Sequence, residues 1–352
     1  MNKDSKIYVA GHAGLVGSAI MRRLKALGYD NIITRGSAEL DLTRQADVEQ
    51  FFDKERPEYV FLAAAKVGGI MANKTYPADF IYINMMIAAN VINAACKCGV
   101  KKLLNLGSSC IYPGNITGAM KESDLLTGPL EKTNEAYAIA KIAAIKMCAH
   151  YNAQYGTNFI SVMPTNLYGP GDNFNMETAH IMPMLIRRFH LAKLLKNRDF
   201  AALREDLRKN KLGWGIDAKI NLNDDGSIES TCNQVGAFAD RAVLWGDGNV
   251  YREFMHSDDL SGACLYIMQN KDAADIGELI NITSGTDILL RDLVDIAKDT
   301  VGFDGALEWD KSKPNGTYRK LMDGDKICGL GWGPKIGLKD GVHGFYDWYL
   351  KS

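Results

Sequence analysis

Short apolar, β-branched runs alternate with longer stretches of helical period through the first half of the chain. The runs are KIYVAG, NIIT, YVFLAAA, KLLNLGSS and FISVMP, and segments such as FIYINMMIAANVINAACKCG separate them. This alternation predicts an α/β fold, a Rossmann-like doubly wound parallel sheet wrapped by helices. Beyond Pro164 the alternation loosens into turn-rich pieces (NLYGPGDN, KPNGTY, GLGWGP) between helices, which predicts a smaller C-terminal substrate-binding lobe. The expected division is residues 1–165 for dinucleotide binding and 166–352 for the substrate lobe, with a segment near 250–275 returning to the first. Residues 195–241 differ in character and are expected to be a surface insertion. Within it RDFAALREDLRKNK reads as an exposed helix, and KINLNDDGSIES as a hairpin turning at Asp225 and Gly226.

With 352 residues the chain exceeds the ~250 to 300 at which single cores stop growing, in keeping with two lobes. A net charge of -1 offers no basic excess for nucleic acid or an anionic membrane, so an anionic ligand must be met by local cations or helix N-termini. Seven irregularly placed cysteines, no signal-like segment after Met1 and no uninterrupted apolar run of bilayer length point to a soluble protein in a reducing, cytoplasmic compartment. Cys96 and Cys98 form a lone C-x-C pair without the second cluster a structural zinc site needs, and read as packing rather than metal ligands.

Two motifs carry chemistry. GHAGLVG places Gly11, Gly14 and Gly17 after the first strand and at the opening of a helix, where glycines let the backbone turn and approach a pyrophosphate. The region that would carry an acid for the ribose of NAD reads ITRGSAEL instead, so Arg35 and Ser37 favour NADP. Asp41 lies close to the adenine or belongs to a polar loop. YAIAK sets Tyr137 and Lys141 one helical turn apart on one face, and an ammonium beside a phenol is expected to lower its pKa. Ser108 stands at the carboxyl end of the fourth strand, where open α/β sheets bind ligands.

In this order, and together with AAAKVGGI, YPADFIY, LGSSCIYP, EKTNEAYAIAKIA, REFMHSDD and SKPNGTYRKLMD, these motifs make the chain resemble the extended short-chain dehydrogenase/reductase family over almost its whole length. The match is to its branch acting on GDP-4-keto sugars. The resemblance implies that Ser108, Tyr137 and Lys141 form a reductase triad, with Tyr137 protonating the sugar oxygen as hydride reaches C4. It extends the NADP contacts to His12, Ala13, Leu15 and Val16, to Leu42 beside Asp41, and to Leu106, Gly107 and Ser109. Pro164, Thr165, Asn166 and Leu167 would border the nicotinamide, with His180 near the cofactor and Asn166 also on the sugar. Arg188, Trp245, Arg252, Asn315 and Lys320 match positions that hold the GDP-sugar. The family often has arginine where this chain has Ala13 and Ser37, which weakens the expected NADPH preference, and aspartate where it has Asn315. A homodimer through first-lobe helices is also implied.

Cys110 and His180 need a second task. A 4-ketone acidifies the protons at C3 and C5, and inverting those centres takes a base on one face and an acid on the other. A thiolate and an imidazolium fit those roles near neutral pH. The resemblance thus implies epimerisation at C3 and C5 and reduction at C4 of GDP-4-keto-6-deoxy-D-mannose. Plain 4-ketoreduction of a related GDP-4-keto sugar such as a heptose is the alternative. A cofactor-binding regulator would be expected to lose the Tyr/Lys pair, and a 4,6-dehydratase would carry an acidic pair where Ser109 and Cys110 stand.

Overall fold

The computed structural model of the chain describes residues 1–313 and 317–352, with only the backbone at Ile70. Its contacts gather into two units. The first comprises Met1–Gly171, Glu253–Thr286 and Leu321–Ile336; the second comprises Asp172–Arg252, Asp287–Lys320 and Gly337–Ser352.

The first unit opens with β1 (Ile7–Ala10), α1 (Leu15–Ala26), β2 (Ile32–Ile33), α2 (Gln45–Glu55), β3 (Tyr59–Leu62), α3 (Ile70–Thr75) and α4 (Pro77–Lys97). It continues with β4 (Lys102–Leu106), α5 (Glu135–Tyr155), β5 (Phe159–Pro164) and β6 (Asn166–Tyr168). The second unit follows with α6 (Ile181–Lys196), α7 (Phe200–Lys209), α8 (Asp225–Gln234) and β7 (Arg241–Trp245). The chain returns to the first unit within β8 (Tyr251–His256), adding α9 (Ser257–Asn270), α10 (Ala273–Ile276) and β9 (Ile280–Ile282). The second unit then takes β10 (Asp287–Leu289), α11 (Leu290–Val301), β11 (Ala306–Asp310) and β12 (Arg319–Lys320). Finally α12 (Asp325–Gly329) belongs to the first unit and α13 (Leu338–Lys351) to the second.

The main sheet is parallel with strand order β2-β1-β3-β4-β5-β9. Both faces are covered, which is why its strands read as continuous apolar runs. Along β1, Ile7 and Val9 enter one core with Leu24 and Leu260, while Tyr8 and Ala10 enter the other with Phe52 and Val91. The order reverses between β1 and β3, and their carboxyl ends form the switch point where such sheets bind dinucleotides.

α4 departs from the expectation that no apolar run reaches bilayer length. It has 21 residues and a mean hydropathy of 1.3 over its best window, enough to span by length and composition. It packs as a core helix, because Phe80, Ala88, Val91, Ile92 and Ala95 bury one face in the first unit. Its buried Asn84 donates to the carbonyls of Phe80 and Lys66.

In the second unit, the Asp225-Gly226 pair starts a helix instead of the expected hairpin. The Asp224 carboxylate accepts from Gly226 N at 3.0 Å and caps α8, whose Ile228, Thr231 and Cys232 are buried at helical spacing. Nor is the 195–241 stretch solvated along its length: Leu203, Leu212, Ile228 and Cys232 are all within 1 % of full burial. Its α7 turns Asp206 inward to pair with the fully buried Arg187 at 2.9 Å.

Candidate active site

The first unit holds the candidate cofactor cradle. Gly11 has φ +79, and a Cβ there would lie 2.6 Å from Ala64 N; one at Gly17 would lie 2.0 Å from Gly11 O. Only glycine permits so tight a crossing. Gly14 is the N-cap of α1, whose first turn carries no acidic residue, so its free amides suit a phosphate. The Nδ1 of His12, in the same loop, is buried with no hydrogen-bond partner among the described residues. A phosphate-bearing dinucleotide fits this donor set, with Ala13 exposed, and Leu15 and Val16 half-buried at the helix opening.

Arg35 is placed less simply than the sequence implies. Its Nη2 donates to Glu55 Oε1 at 2.7 Å and its Nη1 to Thr34 O, while Ser37 stays exposed. Asp41 accepts from the Thr43 hydroxyl at 2.7 Å and from Thr43 N, and these bonds hold its carboxyl below the usual range. Leu42 packs on the core and its carbonyl accepts from Asn90. At Gly107 a Cβ would lie 2.2 Å from the flexible end of the Met163 side chain and 3.2 Å from Val162 O, so glycine lets Met163 pack against the end of β4. Past Pro164, Thr165 and Asn166 donate to the carbonyl of Glu253, at 3.4 and 2.7 Å, with Leu167 half-buried.

The three candidates for proton transfer, Ser108, Tyr137 and Lys141, lie in the same unit. Ser108 follows β4 and its Oγ accepts from Cys110 N at 3.4 Å, closing a 3-10 turn that buries Ser109 and Cys110. From α5, Lys141 donates to Leu106 O at 2.7 Å and its Nζ lies 5.6 Å from the centre of the Tyr137 ring. Phe80 meets that ring edge-on at 6.3 Å. Burial lowers the Lys141 pKa to about 8, partly offset by Cys110. The Tyr137 pKa is raised, first by burial and then by Cys110. This corrects the expectation that the ammonium would make the phenol readily ionised. The ammonium faces a backbone carbonyl, and removing a phenolate from water costs more than it returns. Tyr137 is therefore a neutral phenol, suited to give a proton.

The second unit holds the other candidates. His180 is the N-cap of α6, without a side-chain capping bond. Its pKa is lowered, first by the protein packed around the ring and then by the Lys320 ammonium, although the residue as a whole is exposed. Arg188 is 3 % exposed; its Nε donates to Val235 O at 2.9 Å and its Nη1 is buried without a partner among the described residues. Burial pulls its pKa down to about 10. Trp245, at the end of β7, is 40 % exposed. Arg252 donates to Tyr251 O at 2.7 Å, and burial lowers its pKa. It stands in register with Lys320 where β12 pairs with β8. Asn315 lies outside the described residues.

Two buried charged residues, Glu253 and Arg187, support the neighbourhood of these candidates without any motif assigning them a role. Glu253 is fully buried and its carboxylate accepts from Thr283 Oγ1, Ser284 N and Met322 N, so the carbonyl that receives Asn166 is rigidly held. The only signal for it was an acid inside the apolar strand REFMH. Arg187 was visible as half of an arginine pair, but nothing local separates its structural task from that of Arg188.

Residues 7–205 and 221–283 match the NAD dependent epimerase/dehydratase family. The chain is 50 % identical over 351 residues to GDP-L-fucose synthase 1 of Arabidopsis thaliana, covering 100 % of this chain and 95 % of that one. Among solved structures it is similar to a GDP-6-OMe-4-keto-L-xylo-heptose reductase from C. jejuni, with 40 % identity, TM-score 0.93 and coverage of 100 % and 99 %. It is also similar to a GDP-D-glycero-L-gluco-heptose synthase from Campylobacter jejuni in the presence of NADPH, with 40 % identity, TM-score 0.91 and 99 % of each chain covered.

Proposed function

The chain belongs to the NAD dependent epimerase/dehydratase family, and we propose that it converts GDP-4-keto-6-deoxy-D-mannose to GDP-L-fucose by epimerisation at C3 and C5 and reduction at C4. NADPH, when bound in the glycine cradle, supplies the hydride. Tyr137 gives its phenolic proton to the C4 oxygen, Ser108 donates a hydrogen bond to that oxygen, and Lys141 organises the site around Tyr137. Cys110 as thiolate removes the C3 and C5 protons. His180 returns protons on the opposite face, and its lowered pKa makes the imidazolium scarcer but a stronger acid. Arg188, Trp245, Arg252 and Lys320 grip the GDP-sugar, the cations taking the diphosphate through charge-assisted bonds and the indole a flat face. Asn166 orients the sugar.

The observation that carries this reading is the buried Cys110 thiol in the turn capped by Ser108, electrostatically coupled to both Tyr137 and Lys141. Proton removal at C3 and C5 gives that thiol a task that reduction at C4 alone does not. A second reading, C4 reduction of a GDP-4-keto-heptose without epimerisation, is favoured by the similarity to the C. jejuni heptose reductase. Exposed Tyr82 and Met85 on α4 and Ile139 on α5 support a homodimer through these helices, and seven free thiols support a cytoplasmic location.

Turnover of GDP-4-keto-6-deoxy-mannose with NADPH in deuterated water separates the readings. One NADPH should be consumed per product, with deuterium at C3 and C5. Cys110→Ser should lose the deuterium while slow reduction at C4 survives. Reduction by the unaltered protein without deuterium would leave the ketoreductase reading, and no NADPH consumption with either sugar would sink both.

A further inference from the structure

Adjacent arginines on α6 are held in contrasting ways. Arg187 satisfies its guanidinium completely: Asp206 accepts from Nε and Nη2, and the carbonyls of Phe174, Asn210 and Lys211 accept from Nη1 and Nη2. Arg188 is nearly as deeply buried, yet its Nη1 has no partner among the described residues. What orients it is the bond from Nε to Val235 O. A buried guanidinium without a countercharge is costly unless an anion arrives.

Val235 stands at the end of α8, and the next residue, Gly236, turns the chain with φ +80. The Gly236 carbonyl accepts from Val243 N at 2.8 Å, which sets the register of β7, the strand that ends at Trp245. A Cβ at Gly236 would lie 2.8 Å from Val243 O and 3.4 Å from Arg188 Nε. One two-residue turn therefore touches the arginine and seats the strand bearing the tryptophan. Ala237 N, bonded to Cys232 O at 3.1 Å, and the buried face of α8 hold that turn in place.

We propose that the Val235-Gly236 turn is a positioning element for GDP recognition, aiming Arg188 at the substrate diphosphate and seating Trp245. This rests on the assignment of Arg188 and Trp245 as GDP-sugar contacts. The stretch of chain around α7 and α8 then serves substrate binding, although none of its side chains reacts.

GDP titrated calorimetrically into the NADPH-loaded protein tests this, alongside KM and kcat. Gly236→Ala should weaken GDP binding and raise the KM of the sugar nucleotide at least tenfold, with kcat within about twofold and NADPH affinity unchanged. A merely structural turn would lower Tm and the active fraction while folded molecules kept their GDP affinity, and that result overturns the proposal. Should Gly236→Ala fail to fold, Arg188→Lys decides, since it keeps the charge and loses the Nε donor. A loss as large as that of Arg188→Ala supports aiming through Val235, whereas unaltered affinity refutes it. Failure of the unaltered protein to bind GDP would instead refute the GDP-sugar assignment itself, before any variant is compared.

Discussion

Replacing Lys141 by methionine should stabilise the protein while stopping its chemistry. Lys141 is 7 % exposed and its pKa falls from the ordinary 10.5 to about 8, with burial as the main cause. At about 1.4 kcal/mol for each pH unit, the buried ammonium costs about 3 kcal/mol at neutral pH. Methionine fills similar volume without that charge, but it leaves the Leu106 carbonyl without its donor, which returns about 1 kcal/mol. A net gain of about 2 kcal/mol remains, enough to raise Tm by a few degrees. The sign of the pH dependence follows from linkage. Between pH 8 and 10.5 the unfolded chain still binds the proton that the folded chain has released, so the wild type gains stability as pH rises through that window. Below pH 8 both states are protonated and the penalty is complete. Urea melts of both proteins at pH 7 and pH 10 should therefore show the variant ahead at pH 7 and its lead shrinking at pH 10. A variant less stable at pH 7, or a lead that does not change with pH, would refute the claim that burial dominates at this lysine. NADPH consumption by the variant should fall by a factor of at least a hundred.

Tyr137→Phe should abolish ketone reduction with cofactor affinity and Tm nearly unchanged, because it removes the proton donor and little volume; single-turnover absorbance of NADPH measures the chemical step, and wild-type turnover there would remove Tyr137 from the mechanism. Glu55→Gln should release Arg35 from its 2.7 Å ion pair and raise the ratio of kcat/KM for NADPH over NADH severalfold; an unchanged ratio would mean that Arg35 does not read the 2'-phosphate.

Much of the fold was legible because it depends on local spacing. Continuous apolar runs separated by helical stretches identify a sheet covered on both faces, and β1 shows why, since its alternate residues enter two different cores. The glycine cradle was legible for the same reason: Gly11 and Gly17 sit where any Cβ would strike backbone a few residues away or across the switch point. Where the local signal was ambiguous the reading went astray. Asp225 and Gly226 satisfy a hairpin turn as well as a helix start, and the apolar spacing of Ile228, Thr231 and Cys232, buried together, selects the helix.

The sequence by itself determined that Tyr137 and Lys141 would share one helix face, since they stand one turn apart, and that Ser108 would follow the strand ending at Leu106. Tertiary structure alone decided what state they are in. The protonation of Tyr137 and Lys141 depends on how much water the surrounding elements exclude, and no spacing encodes a dielectric environment. Partner choice was equally hidden. Arg35 is claimed by Glu55, 20 residues on, and the orienting bond of Arg188 goes to a carbonyl 47 residues on. Motifs register the kind of side chain and its local spacing, whereas desolvation and competition for partners are settled by residues that only folding brings together.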